Sequence, residues 1–97
     1  MSRRNITTDS VVRRNEEVFA SEIDNEVVMM NIQTGKYYGL DEIGSRIWEL
    51  MKQKIKVKDL IKKLLEEYDV SEQECEKDVL ELLMELQSND LVILNNE

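Results

Sequence analysis

Apolar and polar residues change rhythm once along this chain, near residue 40. From Val11 to Leu40 the apolar residues come in short, β-branched runs: Val11-Val12, Val18-Phe19-Ala20 and Val27 through Ile32. Asp24-Asn25 and Thr34-Gly35 separate them, residue types that favour tight turns. In the longest run Val28, Met30 and Ile32 share one face and Val27 and Met29 the other. A sheet built from it is therefore expected to be covered on more than one side. The spacing predicts a three-stranded antiparallel meander with strands near 17–22, 26–32 and 36–40.

Beyond residue 40 the period becomes helical. Asp41 is placed to cap a helix in which Ile43, Ile47, Leu50 and Met51 form a stripe flanked by Trp48. Val57, Leu60, Ile61, Leu64, Leu65 and Tyr68 repeat at i, i+3, i+4, i+7, i+8 and i+11, which predicts a second helix. Ser71-x-x-Glu74 is a capping box that opens a third, reaching about Ser88, with Asn89 positioned as a left-handed cap. Leu91–Leu94 can add a short extended segment to the sheet or core. Trp48, Leu50, Leu60, Leu64 and Leu83 are expected in the core, and Tyr68 with its hydroxyl reaching water. The third helix is apolar over a wide arc that includes Cys75, Val79, Leu80, Leu82, Leu83 and Leu86. Two readings follow: both sides pack, on the second helix and on the sheet, or one edge stays open as the wall of an apolar groove.

Composition narrows the function classes. Ninety-seven residues, 41% hydrophobic, make one small domain, expected over 11–97 behind a flexible tail at 1–10 in which Ile6 is an isolated apolar side chain. A net charge of −8 argues against nucleic acid, whose phosphates need clustered cations. A helix–turn–helix ending in an extended segment resembles a winged helix-turn-helix. Its would-be recognition helix, however, carries Glu72, Glu74, Glu76, Asp78, Glu81 and Glu85 against Lys77, a face that repels phosphate. The basic Arg3, Arg4, Arg13 and Arg14 and the acidic stretch 66–90 read as solvated surface. There is no histidine, so the commonest general base and zinc ligand are missing. Cys75 stands alone inside a helix, which excludes an internal disulfide, suits a reducing cytoplasm and fits a half-buried structural thiol. Three separated glycines form no phosphate loop. The carboxylates Glu66, Glu67, Glu72 and Glu76 sit at helix-surface spacings. The expectation is a protein that is no enzyme, with neither metal nor cofactor, and with no apolar run of membrane-spanning length.

One segment is more specific. Gly35-Lys36-Tyr37-Tyr38-Gly39-Leu40-Asp41, followed by Ile47-Trp48-Glu49-Leu50, resembles the PqqD family of RiPP recognition elements. Further matching elements are Val57 to Leu65, Tyr68-Asp69-Val70, Asp78-Val79 to Leu86, and Leu91-Val92, so the likeness spans roughly 18–94. The resemblance is strongest to the free-standing leader-binding proteins of lasso-peptide biosynthesis, followed by the peptide chaperone of pyrroloquinoline quinone biosynthesis. It implies an α+β, winged helix-turn-helix-like fold, with a three-stranded antiparallel sheet followed by three helices. It further implies that the leader region of a ribosomally made precursor peptide adds as a strand beside residues 36–40, against the third helix. A separate processing enzyme, such as a leader peptidase, would then receive the precursor. The matching peptide-facing positions are Lys36, Tyr37, Tyr38 and Gly39 on the strand, and Cys75, Asp78, Val79 and Leu82 on the helix. Asp78 would pair with a basic leader residue or, within the chain, with Lys77 or Arg46. The alternative is a regulatory scaffold domain that binds a protein partner, and an unpaired strand edge also allows a homodimer.

Overall fold

The computed structural model describes residues 5–95. The elements run β1 (Val11–Arg14), β2 (Val18–Ile23), β3 (Glu26–Asn31), β4 (Tyr37–Gly39), α1 (Glu42–Leu50), β5 (Ile55–Lys56), α2 (Val57–Glu67), α3 (Glu72–Ser88) and β6 (Val92–Leu94). The predicted meander is present as the antiparallel sheet β2-β3-β4. A second antiparallel sheet, β5-β1-β6, joins the two ends of the described chain, with Val12 opposite both Ile55 and Leu94. The architecture is α+β and winged-helix-like.

Turn chemistry sets the first sheet. Asp24 and Asn25 both have positive φ (53° and 69°), as a two-residue hairpin loop requires when its twist must match the flanking strands. At the next corner the Asn31 side chain is 5% exposed, and its Oδ1 accepts from the Gln33 and Thr34 amides at 2.9 and 3.2 Å. Gly35, at φ 74°, then donates its amide to the Asn31 carbonyl at 2.7 Å, which brings the chain back as β4.

Asp41 caps α1 as the sequence predicts, accepting from the Gly44 amide at 2.8 Å. One turn later Ser45 is inserted into the sheet ladder. The Val27 amide donates to its Oγ at 2.7 Å, and that hydroxyl donates to the Leu40 carbonyl at 3.2 Å. Ser45→Ala strands both backbone groups in a buried position and should cost about 1–2 kcal/mol, measurable by denaturant unfolding.

Residues 5–10 depart from the predicted flexible tail; residues 1–4 of that tail lie outside the described residues. Lys56, the N-cap of α2, supplies no side-chain cap. The carbonyls of Ser10 and Thr8 do so instead, accepting from the Val57 and Lys58 amides at 2.8 and 3.0 Å. Orphan N–H groups at a helix start need such partners, and meeting them fixes this segment. Ile6 is thereby seated in the core at 4% exposure.

Ser71 caps α3, accepting from the Glu74 amide at 3.2 Å. At the other end the left-handed residue is Asp90 (φ 60°) rather than the predicted Asn89. The Asp90 amide reaches the Gln87 carbonyl and the Leu91 amide reaches that of Leu86, at 3.0 and 2.9 Å. This is a Schellman closure, with Leu86 and Leu91 both buried beside it. Met29, Trp48, Leu60, Leu64, Leu83 and Leu86 join the central core, and Leu50 and Tyr68 pack partly buried against it. Arg46 clamps α1 to the end of α2 through two bonds to the Glu67 carboxylate at 2.7 and 2.8 Å. No helix among the described residues is long and apolar enough to cross a membrane.

Candidate functional site

β4 pairs with β3 on one side only and is an edge of its sheet. Its register places Met29 opposite Tyr38. The Asn31 amide donates to the Lys36 carbonyl at 3.0 Å, and the Leu40 amide to the Val27 carbonyl at 2.8 Å. Residues 36, 38 and 40 therefore turn their backbone groups towards β3. In an antiparallel ladder the alternate residues face away, so the N–H and C=O groups of Tyr37 and Gly39 point to the open side. Gly39 has open space where a Cβ would stand, so another chain can approach it closely.

Alongside this edge runs a groove. Tyr38, Gly39 and Leu40 form one bank, and Ile43, Gly44 and Ile47 of α1 with Asp78 and Leu82 of α3 form the other, enclosing about 480 Å³. A smaller cavity of about 130 Å³ continues it between Lys36-Tyr37-Tyr38 and the end of α3 at Ser88–Asp90. Tyr38 borders both cavities, with the Glu85 carboxylate close to its hydroxyl. Burial, together with that carboxylate, pushes the Tyr38 pKa up to about 12. The phenol therefore stabilises the fold fully below its ordinary pKa of 10.0, and that contribution is lost as pH rises towards 12. An absorbance titration should show a tyrosinate step near pH 12 that disappears in Tyr38→Phe.

The eight positions expected to face a peptide divide into two sets. Tyr38, Gly39, Asp78 and Leu82 line the groove, while Lys36 and Tyr37 border its continuation, Tyr37 being 74% exposed. Cys75 and Val79 do not reach it: at 6% and 2% exposure they sit in the core beneath it. The reason is helical phase. Cys75, Val79, Leu83 and Leu86 form the buried face of α3, and the groove uses the neighbouring stripe, Asp78, Leu82 and Glu85. Burial, with Asp78 nearby, raises the Cys75 thiol pKa, so the thiol stays protonated and unreactive. Asp78 has no ion pair among the described residues, and Arg46 is engaged by Glu49 and Glu67. The α1 wall was not anticipated. Ile43 reads as part of the core stripe but is 43% exposed and faces the groove. Its place at the first turn, ahead of the buried Ile47, was the available signal. Among the described residues no group of three or more side chains could hold a metal ion.

A family model described as coenzyme PQQ synthesis protein D (PqqD) matches residues 26–92, the span holding the groove. A solved structure described as TbiB1 in complex with the TbiA(beta) leader peptide is similar at TM-score 0.80 and 32% identity, covering 88% of this chain and 99% of that one. Another, a lasso peptide synthetase B1 complexed with the leader peptide, has TM-score 0.70 at 21% identity, covers 84% and 96%, and is a likeness of fold. No curated protein sequence matches. A family model that covers β3, β4, all three helices and the start of β6 establishes that the chain belongs to the PqqD family.

Proposed function

We propose that this chain is a non-catalytic RiPP recognition element that binds the leader region of a ribosomally synthesised precursor peptide. The leader adds as a strand to β4 and is presented to a separate processing enzyme, such as a leader peptidase, in the cytoplasm. The observation that carries this reading is the open β4 edge beside an apolar groove. The edge offers backbone bonds from Tyr37 and Gly39, and the groove offers pockets for alternate side chains. The 32% identical relative was solved with a leader peptide, which supports it. From Asp78 to Ser88 the helical wall is about 15 Å long, which fits an extended segment of about four or five residues. The carboxylates of Asp41 and Asp78 at one end favour a basic leader residue there. Lasso-peptide biosynthesis is the pathway we favour; the family's description keeps pyrroloquinoline quinone biosynthesis as the second reading.

The test is an anisotropy titration with a labelled leader from the neighbouring precursor gene, against a scrambled control. Saturable binding at about micromolar or tighter, lost on scrambling, supports the proposal. No binding to a folded domain would leave a scaffold that takes a different protein partner.

A further inference from the structure

α1 turns Ile43, Gly44 and Ile47 to the groove, while Trp48 of the same helix borders a different concave surface. There β1, the turn after it, the start of β2 and the residues following α1 enclose a cleft of about 520 Å³. Its charged lining is Arg13, Arg14 and Lys52 against one carboxylate, Glu16, with Lys54, which is already engaged, at its margin. In a chain of net charge −8 this is the reverse of the average surface. The cleft and the groove share no residue.

Arg14 is fixed at the centre of this lining. Its Nε donates to the Trp48 carbonyl at 2.8 Å, and its guanidinium carbon lies 4.9 Å from the centroid of the Trp48 ring. That uses one nitrogen. The two Nη groups make no hydrogen bond to the described residues, and no carboxylate among them lies within ion-pair distance. A guanidinium held by its Nε and by an aromatic face, with its terminal fork uncommitted, is preorganised for a planar oxyanion. Burial lowers its pKa, partly offset by Glu49, yet leaves it a cation at neutral pH.

We propose that this cleft docks a carboxylate-bearing segment of a partner protein, Arg14 taking a carboxylate and Arg13 and Lys52 flanking it. The net charge selects that occupant. A polyanion such as nucleic acid, or a second copy of this chain, brings a large negative charge against the whole acidic surface. A short acidic segment meets only the local field. Because groove and cleft share no residue, both can be filled at once, and the proposal stands whatever occupies the groove.

Trp48 is the only tryptophan and lies under Arg14, so its emission reads the cleft. The experiment titrates the full chain with acetylated hexaglutamate at low ionic strength, comparing wild type with Lys52→Glu, Arg14→Gln and Lys62→Glu. Lys52 is exposed, so its variant should fold even if Arg14→Gln does not; Lys62 lies outside the cleft. The expected result is a saturable change in emission that weakens with added salt, about tenfold weaker in Lys52→Glu and within about threefold of wild type in Lys62→Glu. Three results would overturn the proposal. One is no saturable response, or equal weakening by the two lysine variants. The second is tighter binding of an equally long oligothymidylate, which would make this a phosphate site. The third is self-association of the free protein that Lys52→Glu abolishes, which would give the cleft to a second copy.

Discussion

Leu82→Glu should weaken binding of a cognate leader peptide by about 2 kcal/mol or more, roughly thirtyfold, while the domain stays folded. Leu82 is half-buried on the groove wall, one turn along from Asp78 and close to Glu85 on the same stripe. A glutamate there can turn to solvent in the free protein, so folding tolerates it. A bound peptide would trap the charge against apolar surface, beside carboxylates that already repel it. The neighbouring Leu83 supplies the control. It is fully buried, and Leu83→Ala should lower stability by about 2–5 kcal/mol through lost burial and a cavity. Calorimetry on both variants, with denaturant unfolding, separates the two roles. If Leu82→Glu unfolds the chain, or binds leader normally, the assignment of this stripe to the peptide fails.

Gly39→Pro should reduce leader binding by about 1–3 kcal/mol, with the fold again intact, because a donor is removed from the edge and not from the ladder. The ladder bonds of β4 come from its alternate residues, so proline at 39 takes nothing from the pairing with β3. Edge strands accept proline where the missing N–H faces outward, and no atom lies within 4 Å of a Cβ at this position. An added strand would lose one of its backbone bonds and meet the ring. Unchanged affinity in a folded Gly39→Pro protein would show that the peptide does not extend this sheet.

What could be read from sequence was whatever a side chain decides locally. The alternation in Val27 to Asn31, the Asp41 and Ser71 caps, and the 3.6-residue stripe of α2 all declare themselves within a few residues. The β5-β1-β6 sheet does not. Ile55–Lys56 is too short to show a period, and its pairing with Val11-Val12 crosses more than forty positions of chain. Ile6 is a lone apolar residue among polar ones, and only the uncapped start of α2 explains why it is drawn inward. For the groove, the sequence named the edge strand and the helix that line it but not the rotation of that helix. Periodicity gives the width of an apolar arc without saying which part of it meets the sheet. Hence Asp78 and Leu82 reach the groove, Cys75 and Val79 lie under it, and Ile43 took its place unannounced.

The pairing of β1 with β6 also bears on how such a unit can be used in larger proteins. Val12 stands opposite Leu94 and Arg14 opposite Val92, so the first and last strands of the fold are direct neighbours, one strand spacing apart. A host protein could carry the whole unit as an insertion in a surface loop, since its first and last strands lie side by side. The open edge of β4 belongs to the other sheet and would be left untouched by either splice point. The same architecture can therefore travel between free-standing and fused arrangements without redesign of the strand that meets its ligand.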